Sequence, residues 1–328
     1  MNRLIVSCLG AVIYAMLPLL PQVSHAQQYP NKPILLVSPY GVGGNADLAA
    51  RLLGLVAAKY LGQSVVVVNR PGAGGIVGSQ FVLDAAKDGY TLLLARVGSQ
   101  AIAPALDPVT PYKWDSFTII GMLELDPYVC VVSGKSLIKS FQDLTAAIKA
   151  RPGRMNYAST GNADGSVVFP VKIFLNIGLK ADAAIKVPYK GGGDTIIAVL
   201  GGHVDFACNA MSPYTGGIKS GDLRALVVST RARVPEAPDT PTANEVGMPN
   251  LETVSGWSAL YGPAGLPQDV IDKWVSVLAK VKADPEWSNQ VRNRGSTPSI
   301  MTPEETRRFV ETQFNAYDAL APQLAIGK

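Results

Sequence analysis

Short runs of apolar residues, bounded by glycine, proline and small polar residues, recur along the chain and alternate with stretches of helical periodicity. The runs over 34–38, 64–69, 90–95, 128–132, 155–158, 185–187, 204–208 and 224–229 read as strands. Between them, the spacing predicts helices over 47–60, 75–86, 140–150, 166–177, 193–201 and 213–219. Strands rich in Val and Leu and apolar throughout, separated by helices, point to mainly parallel sheets with helices on both faces. The C-terminal part changes character. There 267–282, 285–294 and 302–324 read as surface helices, with Thr302-Pro303-Glu304-Glu305 supplying a capped start.

The strand–helix series over 34–95 and 155–229 are of similar size, and each opens with a strand, a Gly/Ser loop and a helix. The segments 123–136 and 251–267 read as connectors that cross between two sheets. The expectation is therefore two α/β lobes: 27–126 with 256–328 in lobe I, 127–255 in lobe II, and a ligand cleft between them. The first residues stand apart. Arg3, an apolar run over 4–20 and the small residues Ser24 and Ala26 make a secretion signal, removed after Ala26. Pro18 and Pro21 interrupt that run, and no basic flank follows, so a membrane anchor fits less well.

Composition then closes off several functions. A formal charge of +4, scattered along the chain, gives no basic block for nucleic acid. With His25 inside the signal, His203 is the one remaining imidazole, too few for a Ser-His-Asp relay or a histidine metal site. The acids are dispersed, and Asp164, Asp194 and Asp205 read as caps or turn residues. No metal and no cofactor are expected. Cys130 and Cys208 each lie within a strand-like run and read as two buried thiols, with a single bridge as the alternative.

The loops at the carboxyl ends of the strands carry the candidate chemistry, because ligands of open α/β sheets bind there and helix N-termini aim N–H groups inward. They span 39–47, 69–79, 96–100, 159–166, 189–195 and 209–212, and are mostly Gly, Ser, Thr or Asn. Small donors and approachable backbone suit a carboxylate. Ser99 and Asn209 fall in such loops. Arg96 ends an apolar strand, where a guanidinium could clamp a carboxylate. Two enzyme readings compete. Gly72, Gly74 and Gly78 imitate an NADP-binding loop, but with the wrong spacing. Ser136 and Lys139, with a later Lys219-Ser220-Gly221, imitate a penicillin-recognising serine enzyme that lacks its middle element.

Across nearly all of the mature chain, collinear blocks resemble the Bug (TctC-type) extracytoplasmic receptors of tripartite tricarboxylate transporters. Among them are YPNKPILLVSPYGVGGNAD, NRPGAGG with DGYTLL, and VPYKG with GGHVD. The resemblance implies a two-lobed periplasmic-binding-protein (Venus-flytrap) fold without catalytic activity, acting as a monomer in the periplasm. Its partners would be a small carboxylate and the membrane subunits of the transporter. A sensing receptor for a signalling partner is the variant of this role. Carried over residue by residue, the ligand positions are Tyr40, Gly41, Gly43, Asn45 and Asp47 in lobe I. In lobe II they are Ser159, Thr160, Gly161, Ser166, Tyr189, Lys190 and Gly191. Asp47 is expected to cap its helix and order the loop. The chain departs from the family at Val42, at Asn45-Ala46, at a two-residue-longer STGNADGS loop, at Phe169 and at Arg96. An added cation and a phenyl ring suggest a dicarboxylate, an aromatic one such as a phthalate, with Arg96 on its second acid group.

Overall fold

The computed structural model describes residues 29–161 and 164–324. The expected secretion signal lies outside them. Along the chain run β1 (Ile34–Ser38), α1 (Asn45–Leu61), β2 (Val65–Asn69), α2 (Ile76–Leu83), β3 (Thr91–Arg96), α3 (Ala103–Leu106), β4 (Thr118–Asp126) and β5 (Tyr128–Ser133). Next come α4 (Phe141–Ala150), β6 (Asn156–Ser159), α5 (Gly165–Asn176), β7 (Ile185–Pro188), α6 (Gly192–Leu200), β8 (Phe206–Ala210), α7 (Thr215–Ser220) and β9 (Leu223–Val228). The chain closes with β10 (Gly256–Gly262), α8 (Gln268–Ala283), α9 (Pro285–Asn293), β11 (Thr297–Met301), α10 (Pro303–Asp318) and α11 (Ala321–Leu324).

Two sheets form the lobes, one ordered β11-β4-β10-β3-β1-β2 and the other β7-β6-β8-β5-β9. Both are mixed. The β1–β2, β1–β3, β6–β7 and β6–β8 pairs run parallel, as strand–helix–strand units require. The crossing strands pair antiparallel: β10 with β3 and β4, and β5 with β8 and β9. The segments expected to be connectors hold these crossing strands. β4 and β10 are buried central strands whose apolar runs are interrupted by Gly121 and by Ser258, which hid them. β11 holds Pro298 at the sheet edge, where a missing N–H is tolerated.

Local chemistry accounts for the helix starts. Ser140 with Asp143, and Thr302 with Glu305, form reciprocal capping boxes on α4 and α10, the second of which the sequence announces. The expected loop over 96–100 is instead a π-turn, Gly98–Ile102, that leads from β3 into α3. One apolar cluster joins both sheets through Tyr128, Phe169, Trp257 and Tyr317, and a second packs α1, α8 and α9 against β1, β3 and β10.

The expectation of two free thiols is overturned. Cys130 and Cys208 face each other in register on β5 and β8, with Cα atoms 4.0 Å apart, and form a disulfide. Directly opposed positions on antiparallel strands bring two Cβ atoms within bridging reach. Sequence spacing alone does not reveal that register.

Candidate functional site

Pro127 is the single residue between β4 and β5, so Asp126 and Tyr128 are delivered side by side where the chain passes from one sheet to the other. Around them a cavity of about 60 Å³ is lined by Tyr40, Gly44, Asn45, Ala46, Arg96, Val97, Gly98, Tyr128, Thr160, Asp164, Gly191, Gly192, Asn209, Ala210 and Pro213. At roughly 10–15 Å³ per water, that space takes about four to six waters or one small organic acid.

The cleft is closed. Asn45 on α1 donates to the Ser212 hydroxyl, and the Thr215 hydroxyl donates to the Arg294 carbonyl at 2.8 Å. A methyl group on Gly41 would sit 3.8 Å from the Lys190 carbonyl oxygen. One on Gly161 would sit 3.4 Å from the Gly74 Cα.

The opening of α1 is built by residues behind the cavity. Gly43, at φ +77°, turns the loop, and its N–H donates to Asp47 Oδ2 at 3.0 Å. Asn69 bridges the Tyr40 carbonyl and Asp47 Oδ1, while Arg51 pairs with Asp47 at 2.9 Å. Burial pushes the Asp47 carboxyl up, but these donors outweigh it and hold the group below the usual carboxylate range. Gly41, Gly43 and Asp47 therefore shape the loop and do not line the cavity. The helix cap itself is Gly44, which has no side chain to offer. Tyr40 is held over the cavity by a 2.8 Å bond from its hydroxyl to the Gly74 carbonyl.

Across the cleft, α6 also opens on a glycine, Gly191, without a side-chain cap. The first N–H groups of α1 and α6 thus meet the cavity with no side chain of their own over them. The opening of α5 differs. Asp164 caps it, accepting from the Ser166 N–H at 3.1 Å, the Ser166 hydroxyl at 2.5 Å and the Thr160 hydroxyl at 2.5 Å. The Thr160 N–H donates to Ser166 Oγ at 2.8 Å. Two expected ligand residues, Thr160 and Ser166, are thus bound to a carboxylate that belongs to the protein. Burial pushes the Asp164 carboxyl up despite these donors.

Arg96 reaches the cavity but is not an unpaired cation. Its Nη1 lies 2.9 Å from Asp126 Oδ2 and also donates to Ser258 Oγ. Asn45 Nδ2 donates to the same Asp126 oxygen at 2.9 Å. Behind them Glu124 pairs with Arg294 at 2.8 Å and accepts from Ser258. Burial, with Asp126 nearby, raises the Glu124 carboxyl against the two arginines.

Of the remaining expected positions, Asn209 lines the cavity and donates weakly to Thr160 Oγ1 at 3.4 Å. Ser99 and Ser159 are fully buried away from it. Ser99 Oγ turns back to the Arg96 carbonyl, because the π-turn points it inward. Gly161 does not line the cavity and sits against Gly74 and Asp164, Lys190 is exposed, and Tyr189 packs against the apolar cluster of the second sheet. Phe169 is fully buried, with its ring 5.8 Å from that of Tyr128, so it packs the core and does not line the cavity. Sequence reasoning named neither Tyr128 at the cavity nor Asp126 behind it, and it singled out the loops that hold Gly98 and Asp164 without naming these two as ligand positions. The first two had a signal, since a strand that ends at a lobe crossing must end near the cleft.

A family model described as "Tripartite tricarboxylate transporter family receptor" matches residues 49–326. The protein BugT of Bordetella pertussis (strain Tohama I) is 35% identical over 298 residues, covering 89% of each chain. The solved periplasmic binding protein BugD superposes with a TM-score of 0.84 at 29% identity, over 91% of this chain and 99% of its own. MatC from Rhodopseudomonas palustris, solved with bound malate, gives 0.83 at 25% identity, over 89% and 100%.

Proposed function

The chain belongs to the tripartite tricarboxylate transporter receptor family and is a solute-binding receptor, not an enzyme. From that premise we propose that it works in the periplasm, where it captures one small organic carboxylate and hands it to a membrane transporter of the tripartite tricarboxylate type. Lobe I comprises 27–126 and 256–328, lobe II comprises 127–255, and the two hinge at the crossing strands to close over the ligand.

The observation that carries this reading is the convergence of α1 and α6, both opening on glycine, upon one closed cavity. Helix N-termini without a side-chain cap, set at the edge of one cavity, suit an anion. Tyr128 also lines the cavity, its hydroxyl packed against Gly165 at the opening of α5. The contact set is Tyr40, Asn45, Arg96, Tyr128, Thr160, Asp164, Gly191 and Asn209.

A dicarboxylate of malate's size fits the cavity better than an aromatic one. The case for a phthalate needed Phe169 in the cleft and Arg96 unpaired, and neither holds. The MatC structure, similar along its whole length, holds malate. A thermal-shift screen of the secreted form against succinate, malate, citrate, benzoate and the phthalates tests the reading. Ligand at a hundredfold excess over Kd adds about 2.7 kcal/mol. A shift with small aliphatic acids is expected. No shift with any acid would sink the receptor proposal.

A further inference from the structure

Two side-chain hydrogen bonds that fasten the closed cleft stand in different places. Asn45 lines the cavity, so its bond to Ser212 closes the cavity rim. The other lies outside the lining. Thr215, at the start of α7 after β8, donates through its hydroxyl at 2.8 Å to the carbonyl of Arg294, in the turn that joins α9 to β11. Thr215 is buried and does not line the cavity. The turn is shaped for this approach. Gly295 has φ +82°, and a methyl group there would sit 2.6 Å from Thr215 Oγ1 and 3.4 Å from Met211 Cγ. Both neighbours belong to the opposite lobe, so the missing side chain is what lets the lobes meet here.

The same turn is held from behind by the groups that hold Arg96. Ser296 Oγ donates to Asp126 Oδ1, and Arg294 Nη2 pairs with Glu124 Oε2 at 2.8 Å. Asp126 Oδ2 pairs with Arg96, while Glu124 Oε1 accepts from Ser258, which accepts from Arg96 in its turn. Two buried acids therefore fix both a residue of the cavity wall and the turn that meets α7. We propose that Thr215 and the 294–296 turn form a latch on lobe closure, with Thr215 a positioning residue that sets ligand affinity without touching the ligand. This rests on the receptor reading above. The Thr215 hydroxyl has a second acceptor within its own lobe, the Met211 carbonyl at 3.2 Å. When the lobes part, it keeps that partner and the Arg294 carbonyl returns to water, so the bond counts towards closure and not towards folding.

Thr215→Val removes the donor and keeps the shape, whereas Thr215→Ser keeps the donor. The probe is L-malate, or whichever acid of the screen above shifts the protein most, with calorimetry for affinity and stopped-flow for rates. Thr215→Val is expected to bind about fivefold more weakly, the worth of one hydrogen bond, through faster dissociation at unchanged association. The Tm of its ligand-free form should match the parent's, and Thr215→Ser should restore the affinity. Unchanged affinity in Thr215→Val, or a loss that Thr215→Ser does not restore, overturns the latch and leaves the receptor intact. So does a loss matched by an equal fall in the stability of the free protein. If no acid of the screen binds, the receptor reading fails, and the latch is then read on the free protein by small-angle scattering. There Thr215→Val should enlarge the radius of gyration relative to the parent, and equal values overturn the latch as well.

Discussion

The openings of α5 and α6 occupy matching places in the second lobe, yet one is filled and the other empty. At α5 the chain supplies its own carboxylate, Asp164, to the Ser166 N–H and to two hydroxyls. At α6, as at α1 in the first lobe, the cap is a glycine and the first N–H groups have no side-chain cap among the described residues. A helix opening is an anion site in either case. What differs is whose anion it holds. The protein has closed one such site with its own carboxylate and left two without a side-chain cap, the two that the receptor reading assigns to a ligand.

Breaking the internal pairing on the acidic side should have the largest effect. Arg96→Ala leaves Asp126 buried without its cation, and removal of one partner of a buried pair costs about 3–5 kcal/mol. Chemical denaturation should show that loss, and a second change, Asp126→Asn, should restore much of it. Loss of ligand affinity with unchanged stability would mean that Arg96 serves the ligand after all.

The cavity lining at Tyr128 and Asn209 also rests on the disulfide, because β5 begins at Tyr128 and β8 ends beside Asn209. The bridge closes a loop of 78 residues. Its reduction should destabilise the protein by about 2–4 kcal/mol, readable as a fall in Tm under reductant. An unchanged Tm would show that the two cysteines contribute little as a crosslink.

Filling an empty opening sharpens the contrast. Gly191 has extended backbone and no heavy atom within 4 Å of where a side chain would begin. Gly191→Asp should therefore cap α6 as Asp164 caps α5, with no loss of stability. It should weaken carboxylate binding by about a hundredfold, because the guest now meets a resident anion.

The smallest effect is a pH slope. Asp164 keeps its proton to higher pH in the folded state than its ordinary value of 3.8, through burial. A raised acid contributes stability that is full below the unfolded value and is lost as pH rises through the folded one. Tyr40, Tyr128, Tyr157 and Tyr214 face it with hydroxyls that burial pushes up, and Lys186 lies within its electrostatic reach. Asp47, Asp143 and Asp284 are held low and slope the other way, and Glu124 is also raised, so the readout is a difference: the stability of the parent relative to Asp164→Asn should fall as pH rises from 4.

Much of the fold was legible because its strands announce themselves. VVVV over 65–68 and LLLA over 92–95 are unbroken apolar runs, and Thr302 to Glu305 spells a capping box. β4 and β10 escaped because a central antiparallel strand bridging two lobes reads like a connector when glycine and serine interrupt it. The cleft was half legible. Asn45, Thr160, Gly191 and Asn209 sit in glycine- and serine-rich loops and line it as their position suggests. Arg96 was placed in the cleft but mischarged, because its counterion, Asp126, lies thirty residues away on another strand. Asp164 was legible as a cap, and only the fold shows that the cap faces the ligand space.

The most direct measurement is a crystal structure of the protein grown with L-malate. The account predicts a ligand carboxylate against the first N–H groups of α1 and α6, with Asp164 still bonded to Thr160 and Ser166. A ligand carboxylate lying on Thr160 and Ser166 at the opening of α5, with Asp164 displaced, would contradict it.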